Sequence, residues 1–205
     1  MTVRLAVITA GITQPSSTRL LADRLLGAVT AALGGPAAVA VEIVDVREHA
    51  HDVTNNVLTG FASPELQGRL DAIAAADAVI VSTPIYSASY SGLFKMLVDV
   101  LPPDCLRDKP VLLGATGGTA RHSLAIDHAL RPLFAYLGAL VAPVAVFAAS
   151  QDWGSSEAGR LGERIERAGT AFARLVTGAP APRQVDPFEQ VTPFRTLLAE
   201  VTGAA

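Results

Sequence analysis

The sequence predicts an α/β protein, a doubly wound parallel sheet of five strands in the order 2-1-3-4-5. Short, nearly continuous apolar segments alternate with longer segments whose apolar residues recur at helical spacing. Continuous apolar strands are typical of parallel sheets covered by helices on both faces. The length of 205 residues suits this five-stranded order better than a six-stranded dinucleotide-binding domain.

Each predicted strand is a short apolar segment bounded by polar residues or by glycine and proline. The five are Arg4–Thr9, Val39–Val46, Ala78–Thr83, Pro110–Ala115 and Val141–Ala148.

The helices are predicted from apolar spacing and from start and stop signals. Ser63, Pro64 and Glu65 have the order of an N-cap, a first-turn proline and an early acid. The predicted helices are Ser17–Leu33, a helix from Pro64 to about Ala76, Ser91–Leu101, Arg121–Leu137 and Ser156–Val176.

The remaining segments show no clear period. Arg47–Phe61 is predicted to be a loop with one helical turn at most. Residues 1–178 are predicted to form one domain, and residues 179–205, which begin rich in proline, a C-terminal linker and arm.

Composition excludes several classes of protein. No apolar run reaches the roughly 18 residues of a membrane span. The chain enters strand-like sequence at once, which predicts no secretory leader and a cytoplasmic location. A net charge of −3 with scattered Lys and Arg argues against nucleic-acid binding. The single cysteine, Cys105, excludes an internal disulfide framework and is expected to be a buried or half-buried apolar residue.

The loop Gly11–Thr18, between the first strand and the first helix, is the strongest candidate site. Ser16, Ser17 and Thr18 cluster where a helix begins, and free N–H groups and the helix dipole favour an anion there. These hydroxyls suit a phosphate monoester held without a metal. The alternative is that Ser16 or Ser17 merely caps the helix.

Two further loops follow the third and fourth strands, so they are expected at the same edge of the sheet. In the first, Pro84 enforces an extended exit and Tyr86 offers a flat surface, although a loop tyrosine often only packs. In the second, Gly117 and Gly118 allow a ligand to approach the backbone closely.

No catalytic side chain and no metal site is predicted. No Gly-x-Ser-x-Gly elbow is present, and no Ser/His/Asp set can be assigned. The four histidines, His49, His51, His122 and His128, lack the spacing to carboxylates or cysteine that a metal site needs.

At these three loops the sequence resembles the NADPH-dependent FMN reductases, a flavodoxin-like family. The first loop is similar to the pattern Gly-Ser-x-Arg-x-x-Ser-x-Asn, one residue shorter, with Gln14 near the place of the arginine. A second segment of the family pattern, Pro-Val/Ile-Tyr followed by Ser-Gly-Leu, is similar to Thr83-Pro84-Ile85-Tyr86 and Ser91-Gly92-Leu93 here. The stretch Ala115–Pro132 is most similar to the reductases that partner alkanesulfonate and related luciferase-like monooxygenases.

The resemblance implies an NAD(P)H:FMN oxidoreductase that supplies reduced flavin to a two-component monooxygenase and forms a homodimer or homotetramer. It implies FMN as cofactor, NADPH or NADH as co-substrate, and no catalytic side chain because the flavin does the chemistry. The residues implied in cofactor binding are Gly11, Ser16, Ser17, Thr18, Pro84, Ile85, Tyr86, Ser87, Thr116, Gly117 and Gly118.

Two other functions stay open at this point. One is a quinone, azo or metal-ion reductase with permanently bound FMN. The other is a flavodoxin-type electron carrier, which the modest charge of −3 disfavours. The choice between NADPH and NADH is also open, with Arg19 and Arg121 as candidates for contacting a 2′-phosphate by position.

Overall fold

Seven β-strands form one sheet in the computed structural model, which describes residues 2–154 and 158–179. Their bounds are β1 Val3–Thr9, β2 Val39–Asp45, β3 Ala78–Tyr86, β4 Ser89–Tyr90, β5 Pro110–Gly117, β6 Leu140–Val141 and β7 Val146–Ala149.

The strand order is β2-β1-β3-β5, with β6 and then β7 paired to successive parts of β5. All these pairs are parallel, whereas β4 pairs antiparallel with β3 in a hairpin. The predicted fold class and order are confirmed, because β5 is the fourth predicted strand and β6 with β7 occupies the fifth position.

Helices cover both faces of the sheet. They are α1 Ser17–Ala32, α2 Ala50–Thr59, α3 Pro64–Ala75, α4 Gly92–Asp99, α5 Arg131–Tyr136 and α6 Ala158–Thr177. No helix in these described residues is both long and apolar enough to cross a membrane.

The sheet separates two apolar cores because alternate residues of each strand face opposite sides. Leu5 and Val7 of β1 lie in the core beneath α1 and α6, and Ala6 and Ile8 lie in the other. That second core contains Phe94 of α4 and, from α3 and α5, Leu66 and Phe134. A fully buried side chain of this size contributes about 1.5–3 kcal/mol to folding.

The prediction of a loop over Arg47–Phe61 is wrong, since α2 occupies most of it. Only Val53 and Asn56 of this ten-residue helix are buried, and two buried residues are too few to show a helical period. Gly60, left-handed at φ 78°, ends the helix and was the available stop signal.

The prediction of one regular helix over Arg121–Leu137 is wrong in its first half. A 3₁₀ turn covers Ala120–His122, and π-helical backbone covers Ile126–Leu130 before α5 begins. Pro132 has no N–H for the carbonyl four residues earlier, and proline crowds the preceding turn, which favours the wider geometry.

The fifth predicted strand is interrupted around Pro143, which cannot donate a ladder hydrogen bond. The predicted start of the last helix at Ser156 lies outside the described residues, as does nearly all of the predicted linker and arm. The division into 1–178 and 179–205 stays a prediction.

Helices α1 and α6 pack closely at Gly169. A Cβ atom there would lie 2.7 Å from Cβ of Ala28 and 2.8 Å from its carbonyl carbon, so neither neighbour could yield easily. Gly162 of the same helix has no atom within 4 Å of its Cβ position.

We expect Gly169→Ala to lower the free energy of unfolding by about 1–3 kcal/mol through overpacking. The matched control Gly162→Ala is expected to raise it by up to about 1 kcal/mol, because alanine is the better helix former. Urea unfolding followed by circular dichroism measures both. Equal effects of the two substitutions would contradict the close contact.

Candidate functional site

The loops after β1, β3 and β5 meet at the carboxyl edge of the sheet. Thr9 lies opposite Ser82, and Pro84 lies opposite Thr116, so the three strand ends are direct neighbours. The Ala10 N–H donates to the Ser82 carbonyl at 3.0 Å, which fixes the first loop where it leaves β1. The prediction that these loops share one edge is therefore confirmed.

Ser16 is the N-cap of α1. Its Oγ accepts a hydrogen bond from the Arg19 N–H at 3.1 Å, which leaves its own hydroxyl proton free for another acceptor. A Cβ atom on Gly11 would lie 2.0 Å from this Oγ and 3.1 Å from Cβ of Thr18. Gly11 thus allows the loop to close around the start of the helix.

Thr18 is buried and joins α1 to the sheet. Its Oγ1 lies 2.7 Å from Oγ1 of Thr116, and its carbonyl accepts a hydrogen bond from the Ser82 hydroxyl at 2.9 Å. Ser17, by contrast, is exposed at the first helical position. The N–H groups of Ser17 and Thr18 have no intrahelical partner and are available to an anion.

The second loop is a tight hairpin. Ile85 pairs with Tyr90 and Tyr86 with Ser89, so Ser87 and Ala88 form the two-residue turn. Both turn residues are left-handed, at φ 49° and 68°, although neither is glycine or asparagine. Such strain persists only where the surrounding structure enforces the conformation.

The hairpin presents a mixed surface. Pro84 and Ile85 are buried, and each is paired with a neighbouring strand, Pro84 opposite Thr116 and Ile85 opposite Tyr90. Tyr86 is 45% exposed and supplies the aromatic surface. The Thr83 hydroxyl accepts from the Ser91 N–H at 3.3 Å and ties the hairpin to the start of α4.

The two glycines of the third loop have different roles. A Cβ atom on Gly117 would lie 2.8 Å from Cζ of Phe147, so internal packing requires a glycine there. Gly118 has no atom within 4 Å of its Cβ position and is open to the surroundings. Gly118 is the better candidate for close approach by a ligand.

A cavity of about 290 Å³ lies against the first loop, on the side of β2. The cavity extends from the loop along the start of α1 to the turn after β2. Its lining residues are Gly11, Thr13, Gln14, Ser16, Arg19, Leu20, Asp23, Asp45, Arg47 and Glu48.

Charges dominate this cavity. Nε of Arg19 lies 2.8 Å from the Asp23 carboxylate, and its Nη1 lies 3.9 Å from Asp45. The hydrogen bond to Asp23 raises the pKa of Arg19 further above its ordinary value. Asp45 also accepts from the Arg47 N–H at 3.2 Å. Apart from Arg19, the sequence interpretation missed these charged residues. Asp23 lies one turn further along α1, and Asp45 and Arg47 lie at the end of β2, on the other side of β1 from the two loops that were considered.

A larger cavity, of about 480 Å³, lies between α1 and α6 and is lined partly by Gly27, Ala28 and Ala31. None of the residues of the three loops lines it. We therefore take the loops, where polar groups converge, as the candidate functional site.

The other reactive side chains provide no alternative site. Burial raises the pKa of the half-buried Cys105 thiol, which opposes a reactive thiolate. Among residues 2–154 and 158–179, no group of three or more His, Cys, Asp or Glu could hold a metal ion.

Fold and site together define a doubly wound α/β protein with a serine-capped helix start and a hairpin that exposes a tyrosine at one edge of the sheet. Residues 3–154 match the family model described as NADPH-dependent FMN reductase. The chain belongs to this family.

Individual proteins and structures similar to this chain agree with the family assignment. The chain is 37% identical over 150 residues, 73% of this chain and 78% of the relative, to the FMN reductase (NADPH) of Pseudomonas aeruginosa. It is 39% identical over 146 residues, 71% and 77% of the two chains, to the NADH-dependent FMN reductase SfnF of Pseudomonas putida. The structure of an oxidoreductase from Corynebacterium diphtheriae is similar with a TM-score of 0.82 and 42% identity, over 86% of this chain and 98% of that one.

Proposed function

We propose that the protein is an NAD(P)H-dependent FMN reductase whose flavin lies across the three loops at the carboxyl edge. The family match carries this proposal, and the loop geometry supports it. When bound, FMN supplies the redox chemistry, taking a hydride equivalent, two electrons and a proton, from the nicotinamide. The protein binds and orients both molecules.

The first loop fits a phosphate monoester. The donors offered are the N–H groups at the start of α1, the free proton of the Ser16 hydroxyl and the exposed hydroxyl of Ser17. The Thr18 hydroxyl is buried and hydrogen-bonded to Thr116, so the group of Thr18 that we propose for the phosphate is its N–H. Gly11 acts through the space it leaves for Ser16.

The other two loops fit a flat heterocycle. Tyr86 offers an exposed ring with the exposed Ser87 beside it, and the buried Pro84 and Ile85 lead the chain into the hairpin. Gly118 leaves the opposite side open, while Thr116 and Gly117 hold that loop against α1 and Phe147. A rigid hairpin and an open glycine permit stacking of a second ring, as hydride transfer requires.

Steady-state oxidation of NADPH and NADH with FMN, FAD and riboflavin tests the activity. We expect oxidation that depends on added flavin, with FMN favoured over riboflavin because only FMN carries the phosphate. Activity only with a quinone, azo or metal-ion acceptor and tightly bound FMN would favour that alternative. Absence of both FMN binding and coenzyme oxidation would overturn the proposal.

Ser16 and Ser63 form a matched pair of N-caps. Ser63 Oγ accepts from the Leu66 N–H at 3.2 Å, much as Ser16 accepts from Arg19. We expect Ser16→Ala and Ser63→Ala each to lower stability by about 1 kcal/mol. Only Ser16→Ala is expected to raise the Kd for FMN, by about tenfold, since it also removes a bond to a charged group.

Fluorescence titration with FMN and with riboflavin measures the affinities of the two variants, and thermal unfolding measures their stabilities. The riboflavin Kd should stay unchanged in both variants. An equal loss of FMN affinity in Ser63→Ala would show that Ser16 acts on the fold rather than on the phosphate.

Release of reduced flavin to a two-component monooxygenase is the physiological role we propose, supported by the resemblance of Ala115–Pro132 to reductases of that kind. The first loop itself offers hydroxyl and N–H groups to the phosphate and contains no arginine. A cytoplasmic location remains a prediction from the sequence.

We further propose that a second copy of the chain covers the C-terminal end of α2. Leu58 is 78% exposed and Phe61 is 81% exposed, and Val57 beside them is 47% exposed. Clustered exposed apolar side chains of this kind mark an interface.

We expect analytical ultracentrifugation to show a dimer or tetramer that the double variant Leu58→Glu, Phe61→Glu dissociates. An unchanged molecular mass of the assembly in the double variant would contradict this surface.

A further inference from the structure

We propose that Arg47 binds a phosphate monoester in the cavity beside the first loop, taking the place of the arginine that this loop lacks. The inference rests on the proposed function and adds one residue, Arg47, to those that contact a phosphate group of its substrates. Gln14, near the position of the family's arginine, cannot supply a positive charge, whereas Arg47 reaches the same cavity from a different element.

The backbone holds Arg47 firmly at this edge. The Val46 N–H donates to the Thr9 carbonyl at 2.9 Å, so the turn after β2 is bonded to the end of β1. The Arg47 N–H then donates to Asp45 at 3.2 Å. The Arg47 side chain is half-buried and lines the cavity together with Gly11 and Ser16.

The charges of the cavity distinguish its two arginines. Arg19 is paired with Asp23 at 2.8 Å and faces Asp45 at 3.9 Å. Within the described part of the chain, the Arg47 guanidinium has no carboxylate partner. A guanidinium that lacks a partner, beside a helix start with open N–H groups, offers the planar donor pair that phosphate oxygens prefer.

The cavity's remaining charge sets a limit on affinity. Asp23 and Asp45 are engaged by Arg19 and by the Arg47 backbone, but Glu48 is exposed at the rim with no ion pair among the described residues. Its negative charge opposes a phosphate. The neighbours Arg47 and Glu48 should therefore act on the ligand with opposite signs.

Two molecules in the proposed reaction carry a phosphate monoester, the 5′-phosphate of FMN and the 2′-phosphate of NADPH. Each has a natural control that lacks it, riboflavin and NADH. The variants Arg47→Gln and Glu48→Gln each change the charge by one unit, and Arg47→Lys keeps the charge without the planar fork.

The experiment measures Kd for FMN and riboflavin by fluorescence without coenzyme, and kcat/KM for NADPH and NADH. We expect Arg47→Gln to reduce the preference for one phosphorylated ligand by about tenfold or more, the usual effect of losing a bond to a charged group. Glu48→Gln should increase the same preference, and Arg47→Lys should retain part of it.

The ligand pair whose preference changes identifies the phosphate that Arg47 contacts. A loss confined to FMN against riboflavin assigns the 5′-phosphate, and a loss confined to NADPH against NADH assigns the 2′-phosphate. If both ratios stay unchanged in Arg47→Gln, or if Glu48→Gln changes the ratio in the same direction, the inference is wrong. Wild-type protein that neither binds FMN nor oxidises a coenzyme would instead refute the proposed function.

Discussion

Two hydrogen bonds of Thr18, one through its hydroxyl and one through its carbonyl, hold the candidate site together. Its Oγ1 meets Thr116 at 2.7 Å, and its carbonyl accepts from Ser82 at 2.9 Å, all within a buried region. One residue in the first turn of α1 is thereby bonded to β3 and β5, the two other strands whose loops form the site. Breaking these bonds would leave buried hydroxyls without a partner, which costs free energy, so they also hold the loops at a fixed distance.

The rest of the edge is arranged around that contact. Because Thr18 anchors α1 to β3 and β5, the helix begins at the same edge of the sheet as the β3–β4 hairpin. Gly11 lets the loop close on Ser16, and Gly117 lets the third loop pack on Phe147. Rigid elements thus position a site with few side chains of its own, as expected where a cofactor carries the chemistry.

Burial explains which elements were predictable. The strands β1, β3 and β5 are apolar on both faces and were found nearly to the residue, apart from the extension of β3 into its hairpin. Helix α2 was missed because only Val53 and Asn56 are buried, which leaves no apolar stripe to recognise. The π-helical turn before Pro132 was missed because its cause is a single absent N–H rather than a pattern.

The sequence by itself determined the fold class, the strand order and the three loops that form the edge, because buried periodicity and helix-start chemistry are local properties. It also indicated the family, through motifs contained within those loops. Only the tertiary structure assigned the Thr18 hydroxyl to Thr116 and brought Arg47 to the cavity beside Gly11 and Ser16. Residues far apart in the chain meet there through parallel strand pairing, and no local pattern encodes which side chains that pairing makes neighbours.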